Sequence, residues 1–205
     1  MRRLNANGRG EGVISVIKIP AMFYQHFAEQ YQKFGFRARH ALARWETLCV
    51  DKPEVKEVAD LIKSDPAAWF ALCGKSGSGK THLMVLLSMA RLAEGRSVLY
   101  TTAYDMALKV NCCPIEDRAD KIEEYKRVDH LTIDEINRAN KTDALQGLLF
   151  EIINTRYDDN KQTNIISNLP YNDLFGDRGF FDEAFRRRFE TKGIIKNFDF
   201  AHKEA

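Results

Sequence analysis

The sequence predicts an α/β protein with a five-stranded, mainly parallel sheet flanked by helices, and three observations carry that prediction. Five short apolar runs, AAWFALC, SVLYTT, DHLTID, TNIIS and GIIKNF, recur along the chain from residue 67 onward. Helix-like stretches at 80–94, 142–158 and 181–188 separate them. The first run passes into the first of these helices through the glycine-rich turn GKSGSGK. Parallel neighbours need crossover connections of helix length, so runs spaced in this way read as strands of one sheet with helices packed on both faces.

The elements follow in order. Residues 1–18, MRRLNANGRGEGVISVIK, lack the apolar stretch that would follow the arginines in a secretory signal, and they read as a loose N-terminal tail of a cytoplasmic protein. Residues 19–65 read as a helical N-terminal extension. From Met22 to Val50, Phe23, Phe27, Tyr31 and Phe34 return at steps of three and four, which predicts an amphipathic helix interrupted by Gly35, with a second short helix at 53–64. Residues 66–205 carry the strand-helix alternation and read as the core domain. Gly95, just past the helix bearing Leu83, Leu86, Leu87 and Ala90, is a C-terminal stop.

Composition narrows the class. With 205 residues, 44% hydrophobic and 29% charged, the chain can bury one core. No run approaches the ~18 apolar residues of a membrane span. Cys49, Cys73, Cys112 and Cys113 form no C-x-x-C pair, which argues against a zinc site and a disulfide framework. A formal charge of +2 does not by itself announce nucleic acid.

The glycine-rich turn carries the chemistry. Gly74-x-x-x-x-Gly79-Lys80-Thr81 sits between a strand and a helix, the context of a phosphate-binding loop rather than of a flexible Gly/Ser linker. Residues Gly74, Lys75, Ser76, Gly77, Ser78, Gly79, Lys80, Thr81 and His82 are the expected nucleotide-binding set. Missing side chains let the backbone wrap a phosphate, so that N–H groups from Gly77 to Thr81 converge at a helix N-terminus. Lys80 is placed to reach the β- and γ-phosphates of ATP, and the Thr81 hydroxyl to meet Mg²⁺.

HLTIDEI supplies the partner motif about fifty residues on. Asp134, at the end of an apolar strand, is the second expected Mg²⁺-holding residue, and Glu135 the expected base that polarises water for attack on the γ-phosphate. The alternative, an acidic pair capping the next helix, loses weight beside a phosphate loop. TNIISNLP ends in Asn168, which positions that water if its strand lies between the two motif strands; the residue type alone equally suits a turn before Pro170. In DEAFRRRFE, Arg186, Arg187 and Arg188 share a short helix. One of them can complete a neighbouring subunit's site by stabilising transition-state charge, with Arg188 favoured, Arg187 second, and a solvated basic end as the alternative.

GKSGSGKTHL, VDHLTIDEI, LLFEIINTRYDDNKQTNIISNL and GIIKNFDF, in this order and spacing, resemble the DnaC/IstB family of AAA+ ATPases over roughly residues 66–200. IPAMFYQHF, residues 19–27, is weakly similar to the segment preceding the ATPase core there. The resemblance implies an AAA+ P-loop core without a full lid domain, ATP binding with slow Mg²⁺-dependent hydrolysis, oligomeric self-assembly, single-stranded DNA, and a replicative DNA helicase as protein partner. Asn137 stands where the family often has glycine. A transposition helper is the close alternative; a small P-loop kinase or a nucleotide-gated adaptor without turnover ranks lower. The basic residues Lys109, Arg118, Lys121, Lys126 and Arg127, interleaved with acids, and the aromatic and basic mix of residues 23–44 are two candidate surfaces for DNA or partner.

Overall fold

A computed structural model describes residues 19–48, 50–138 and 141–199; the predicted tail, Cys49, residues 139–140 and residues 200–205 lie outside the described residues. Five parallel strands form one sheet in the order β2-β3-β4-β1-β5, with β1 at Trp69–Gly74, β2 at Val98–Thr102, β3 at His130–Asp134, β4 at Gln162–Ile166 and β5 at Gly193–Phe198. The apolar runs form these strands because both faces of the sheet are covered, and such strands need continuous rather than alternating hydrophobicity.

Side-chain alternation along β1 divides the core. Phe70 and Leu72 face one layer, made by α1 (Ala21–Gln30), α2 (Pro53–Ser64) and α3 (Lys80–Ala93). Trp69, Ala71 and Cys73 face the other, made by α4 (Ala103–Cys112), α5 (Arg118–Arg127), α6 (Asp143–Asp158), α7 (Tyr171–Phe175) and α8 (Glu183–Lys192). The N-terminal segment shares the first layer: Phe27, Phe36, Ala41 and Trp45 pack in the same cluster as Phe70, Leu72 and Leu83.

One expectation changes here. The aromatic periodicity of residues 22–50 predicts a helix with a single interruption, but α1 ends at Gln30 and three short 3-10 turns follow, at Tyr31–Phe34, Ala38–Leu42 and Trp45–Thr47. Gly35 is the cause. It adopts φ 80° and lies so close to β2 that an added Cβ would stand 1.9 Å from the Tyr100 carbonyl oxygen, so the chain turns there to dock on the sheet. The aromatics that imitate a helical stripe instead stack on one another, Phe27 edge-on to Phe36 at 5.0 Å.

Helix starts are set locally. Thr102, Thr142 and Asp182 accept the N–H groups of Asp105, Leu145 and Phe185 at 2.9, 3.2 and 2.9 Å and so cap α4, α6 and α8. The sheet interior is unusually polar: His130 Nδ1 lies 2.8 Å from Gln162 Oε1, and its Nε2 lies 2.9 Å from Ser88 Oγ on α3. Asn164 Oδ1 accepts the Phe70 N–H at 3.0 Å. Burial pushes His130 down to about 3, so this network is held by a neutral imidazole. Arg156, fully buried, donates to Thr163 Oγ1 at 2.8 Å and to the carbonyls of Tyr125 and Val128 at 2.9 and 2.7 Å, stapling α6 to β4 and to the end of α5.

Candidate functional site

The site lies at the C-terminal edge of the sheet, where β1 turns into α3. Unlike α4, α6 and α8, α3 begins at a glycine with no side-chain cap, leaving its first-turn N–H groups for a ligand. Gly74, Gly77 and Gly79 all have positive φ, at 102°, 72° and 91°, and open space lies where a Gly77 Cβ would stand. That space and those N–H groups form a cradle sized for phosphate. Ser78 Oγ donates to the Lys75 carbonyl at 2.8 Å and closes the loop on itself.

Lys80 points into this loop. Its Nζ donates to the carbonyls of Gly74 and Lys75 at 2.9 and 2.6 Å and to Ser78 Oγ at 3.2 Å. Burial pushes its pKa down to about 8, with Asp134 pulling the other way. A phosphate arriving in the cradle meets an ammonium already held within the loop by neutral acceptors.

Across from the loop, Thr81 Oγ1 donates to Asp134 Oδ2 at 3.1 Å. Asp134 Oδ1 accepts the Glu135 N–H at 2.6 Å, and the Tyr100 hydroxyl donates to Oδ2. Among the described residues no group of three or more His, Cys, Asp or Glu side chains is placed to hold a metal. One hydroxyl and one carboxylate fit Mg²⁺, which keeps water and substrate phosphates for most of its coordination. Glu135 has φ 54°, an uncommon conformation for a residue with a Cβ, and its Oε1 pairs with Arg138 Nη1 at 3.2 Å.

The strand order brings in the next residue. Because β4 lies between β3 and β1, the loop after β4 faces both motifs, and Asn168 lines the same cavity as Ser76–His82, Asp134 and Glu135. The cavity measures about 470 Å³. The Asn168 N–H donates to Asn137 Oδ1 at 2.9 Å, so the residue that departs from glycine in the acidic motif ties the loops after β3 and β4 together.

Of the expected set, Gly74 and Lys75 do not line the cavity and contribute carbonyls to Lys80 instead. His82 faces partly away: its Nε2 lies 2.9 Å from the Arg44 carbonyl, clasping the N-terminal segment. That segment lends Arg39, His40, Leu42 and Ala43 to the cavity wall. Sequence reasoning missed these four, together with Tyr100, Asn137 and Arg138. The only signal for the first four was the cationic and aromatic mix of residues 23–44.

The arginines of α8 stand apart from this cavity. The sequence favours Arg188 and ranks Arg187 second, and the two side chains differ in their surroundings. Arg188 donates to Asn154 Oδ1 and lies 5.4 and 5.7 Å from the ring centres of Phe150 and Tyr157, bound to its own chain. The side chain of Arg187 is 72% exposed and pairs with Glu183 of its own helix at 2.7 Å. Buried Phe189, 5.2 Å from Trp69, anchors the helix. Between β2 and β3, Lys121, Lys126 and Arg127 are each taken up by a carboxylate, of Glu124, Glu151 and Glu123.

Comparison with known proteins agrees with this geometry. A family model described as IstB-like ATP binding protein matches residues 29–187. The chromosomal replication initiator protein DnaA of Helicobacter hepaticus is 30% identical over 145 residues, 65% of this chain and 29% of that protein. Among solved structures, the DnaC helicase loader superposes with a TM-score of 0.62 at 17% identity, covering 80% of this chain and 100% of that one. The replication initiator DnaA bound to AMPPCP and single-stranded DNA gives 0.60 at 22%, covering 76% and 49%. The chain thus spans less than a third of its DnaA relative. No helix among the described residues is long and apolar enough to cross a membrane. The chain belongs to the IstB-like ATP-binding protein family.

Proposed function

We propose that the protein is a Mg²⁺-dependent ATPase that loads or remodels a replicative DNA helicase on single-stranded DNA. The observation that carries the reading is the position of β4 between the two motif strands, which gathers Lys80, Thr81, Asp134, Glu135 and Asn168 around one cavity. In this reading the loop N–H groups and Lys80 bind the β- and γ-phosphates. Thr81 and Asp134 hold Mg²⁺, which when bound neutralises phosphate charge. Asn168 orients a water, and Glu135 takes its proton as the oxygen bonds to the γ-phosphorus, whose bond to the β–γ bridging oxygen breaks and releases ADP. Arg187 reaches a neighbouring subunit, which makes turnover a property of the assembly.

For DNA, a groove of about 480 Å³ between α4, α5 and α6 joins the two surfaces that the sequence suggests, with Tyr104 to stack on a base and Arg118 and Arg138 for phosphates. Elsewhere on α5, Lys121, Lys126 and Arg127 are already paired with carboxylates. The test combines two measurements: association with the host's replicative helicase with and without ATP, and single-strand binding across a salt series. Nucleotide-dependent helicase association and DNA affinity that falls with salt are expected. Association with a transposase instead would favour the transposition-helper reading, which the family description also fits.

A further inference from the structure

Tyr100, on β2, is gripped from two sides. Its hydroxyl donates to Asp134 Oδ2, the oxygen that also accepts from Thr81 Oγ1. Its ring meets the N-terminal segment: Phe36 stacks on it at 4.9 Å with 30° between planes, and His40 stands edge-on at 5.0 Å. Gly35 presses on its carbonyl from the same segment. Tyr100 as a whole is 3% exposed, and its ring cannot swing without displacing Phe36 or His40.

A phenylalanine would fill this volume equally well. The hydroxyl is required only if the carboxylate must be held, and the geometry gives a reason to hold it. For the lone pairs of Thr81 Oγ1 to face a cation, its proton must point to an acceptor, and Asp134 Oδ2 is that acceptor. With Oδ1 occupied by the Glu135 N–H and Oδ2 by Tyr100, the carboxylate cannot rotate away from Thr81.

We propose that Tyr100 is a positioning residue for the cation-holding pair, fixing Asp134 through its hydroxyl and tying it through its ring to residues 35–40 of the N-terminal segment. The proposal rests on the reading of Asp134 as a Mg²⁺-holding group. Its consequence is that the docking of the N-terminal segment on β2 sets how well the cation site is formed, so a protein that pulls on that segment loosens the metal.

The test uses the full chain and its Y100F, F36L and D134N variants. The Mg²⁺ concentration for half-maximal binding of a fluorescent non-hydrolysable ATP analogue is measured beside the affinity in EDTA. Y100F should raise the Mg²⁺ midpoint on the order of tenfold, the scale of a lost partner to a metal-holding group, with metal-free affinity unchanged. F36L should shift it the same way by less. An unchanged midpoint in Y100F while D134N raises it overturns the role of Tyr100 and spares that of Asp134. An unchanged midpoint in D134N as well overturns both. Loss of metal-free affinity in step with the Mg²⁺ effect marks a packing defect and also overturns the proposal, and an unmoved F36L overturns the tie to the segment.

Discussion

Thr81 Oγ1 donates to Asp134 Oδ2 at 3.1 Å, joining the first turn of α3 to the end of β3 across a sequence separation of 53 residues. Asp134→Asn exchanges one of its acceptors for a donor and removes the charge. Nucleotide binding in EDTA should survive, while the enhancement by Mg²⁺ falls by about tenfold or more. Calorimetric titration with and without Mg²⁺ checks it.

Lys80 gives the site a pH dependence. Burial lowers its pKa from 10.5 to about 8, so above that value the free protein loses the ammonium that the phosphates need. Nucleotide affinity should fall as pH climbs from about 7 to 9, and binding at the upper end should take up a proton. Stability should move oppositely. The unfolded chain holds this proton up to 10.5 and the folded one only to about 8, so folding is favoured increasingly as pH rises through that window. Affinity that is level across the range contradicts the assignment.

Arg138 restrains Glu135. Their 3.2 Å ion pair is largely exposed on the arginine side, at 63%, so it is worth at most about 1 kcal/mol. Arg138→Gln should raise basal turnover a few-fold by freeing the carboxylate as a base, with ATP affinity little changed. Steady-state hydrolysis measured without DNA decides the point.

The arginines of α8 separate by role. Arg187→Ala should bind ATP normally and lose turnover on the order of 10³-fold, the scale of a transition-state arginine. Mixed with Glu135→Gln subunits, whose arginines are intact, it should recover part of that activity. Arg188→Ala should instead lose about 1 kcal/mol of stability with its ring and Asn154 contacts, and keep turning over. Turnover independent of concentration and of both substitutions contradicts a shared site.

Much of this site can be read in the sequence, because its signals are local. A phosphate loop needs glycines, lysine and threonine at fixed spacing, and a buried parallel strand needs an unbroken apolar run, so β1 to β5 fall within two residues of the apolar stretches. What stays hidden depends on pairs far apart in the chain. Nothing about Asn137 announces that its side chain takes the N–H of Asn168, nor about Tyr100 that it reaches Asp134. The 3-10 turns of residues 31–47 mimic a helix because aromatics stacked in a cluster can fall at helical spacing. The surroundings of Arg188 are hidden for a related reason: anchoring by Phe189 is visible in sequence, but contact with Phe150, Tyr157 and Asn154 belongs to the packing of α6.

The most direct measurement is paired ATP binding and hydrolysis by Glu135→Gln. An amide cannot take a proton from water, yet it has the size of the carboxylate it replaces. The account predicts ATP and Mg²⁺ affinity close to that of the unaltered protein with turnover reduced by about 10²-fold or more. Undiminished hydrolysis would contradict it and remove Glu135, and with it the ATPase mechanism proposed for this cavity.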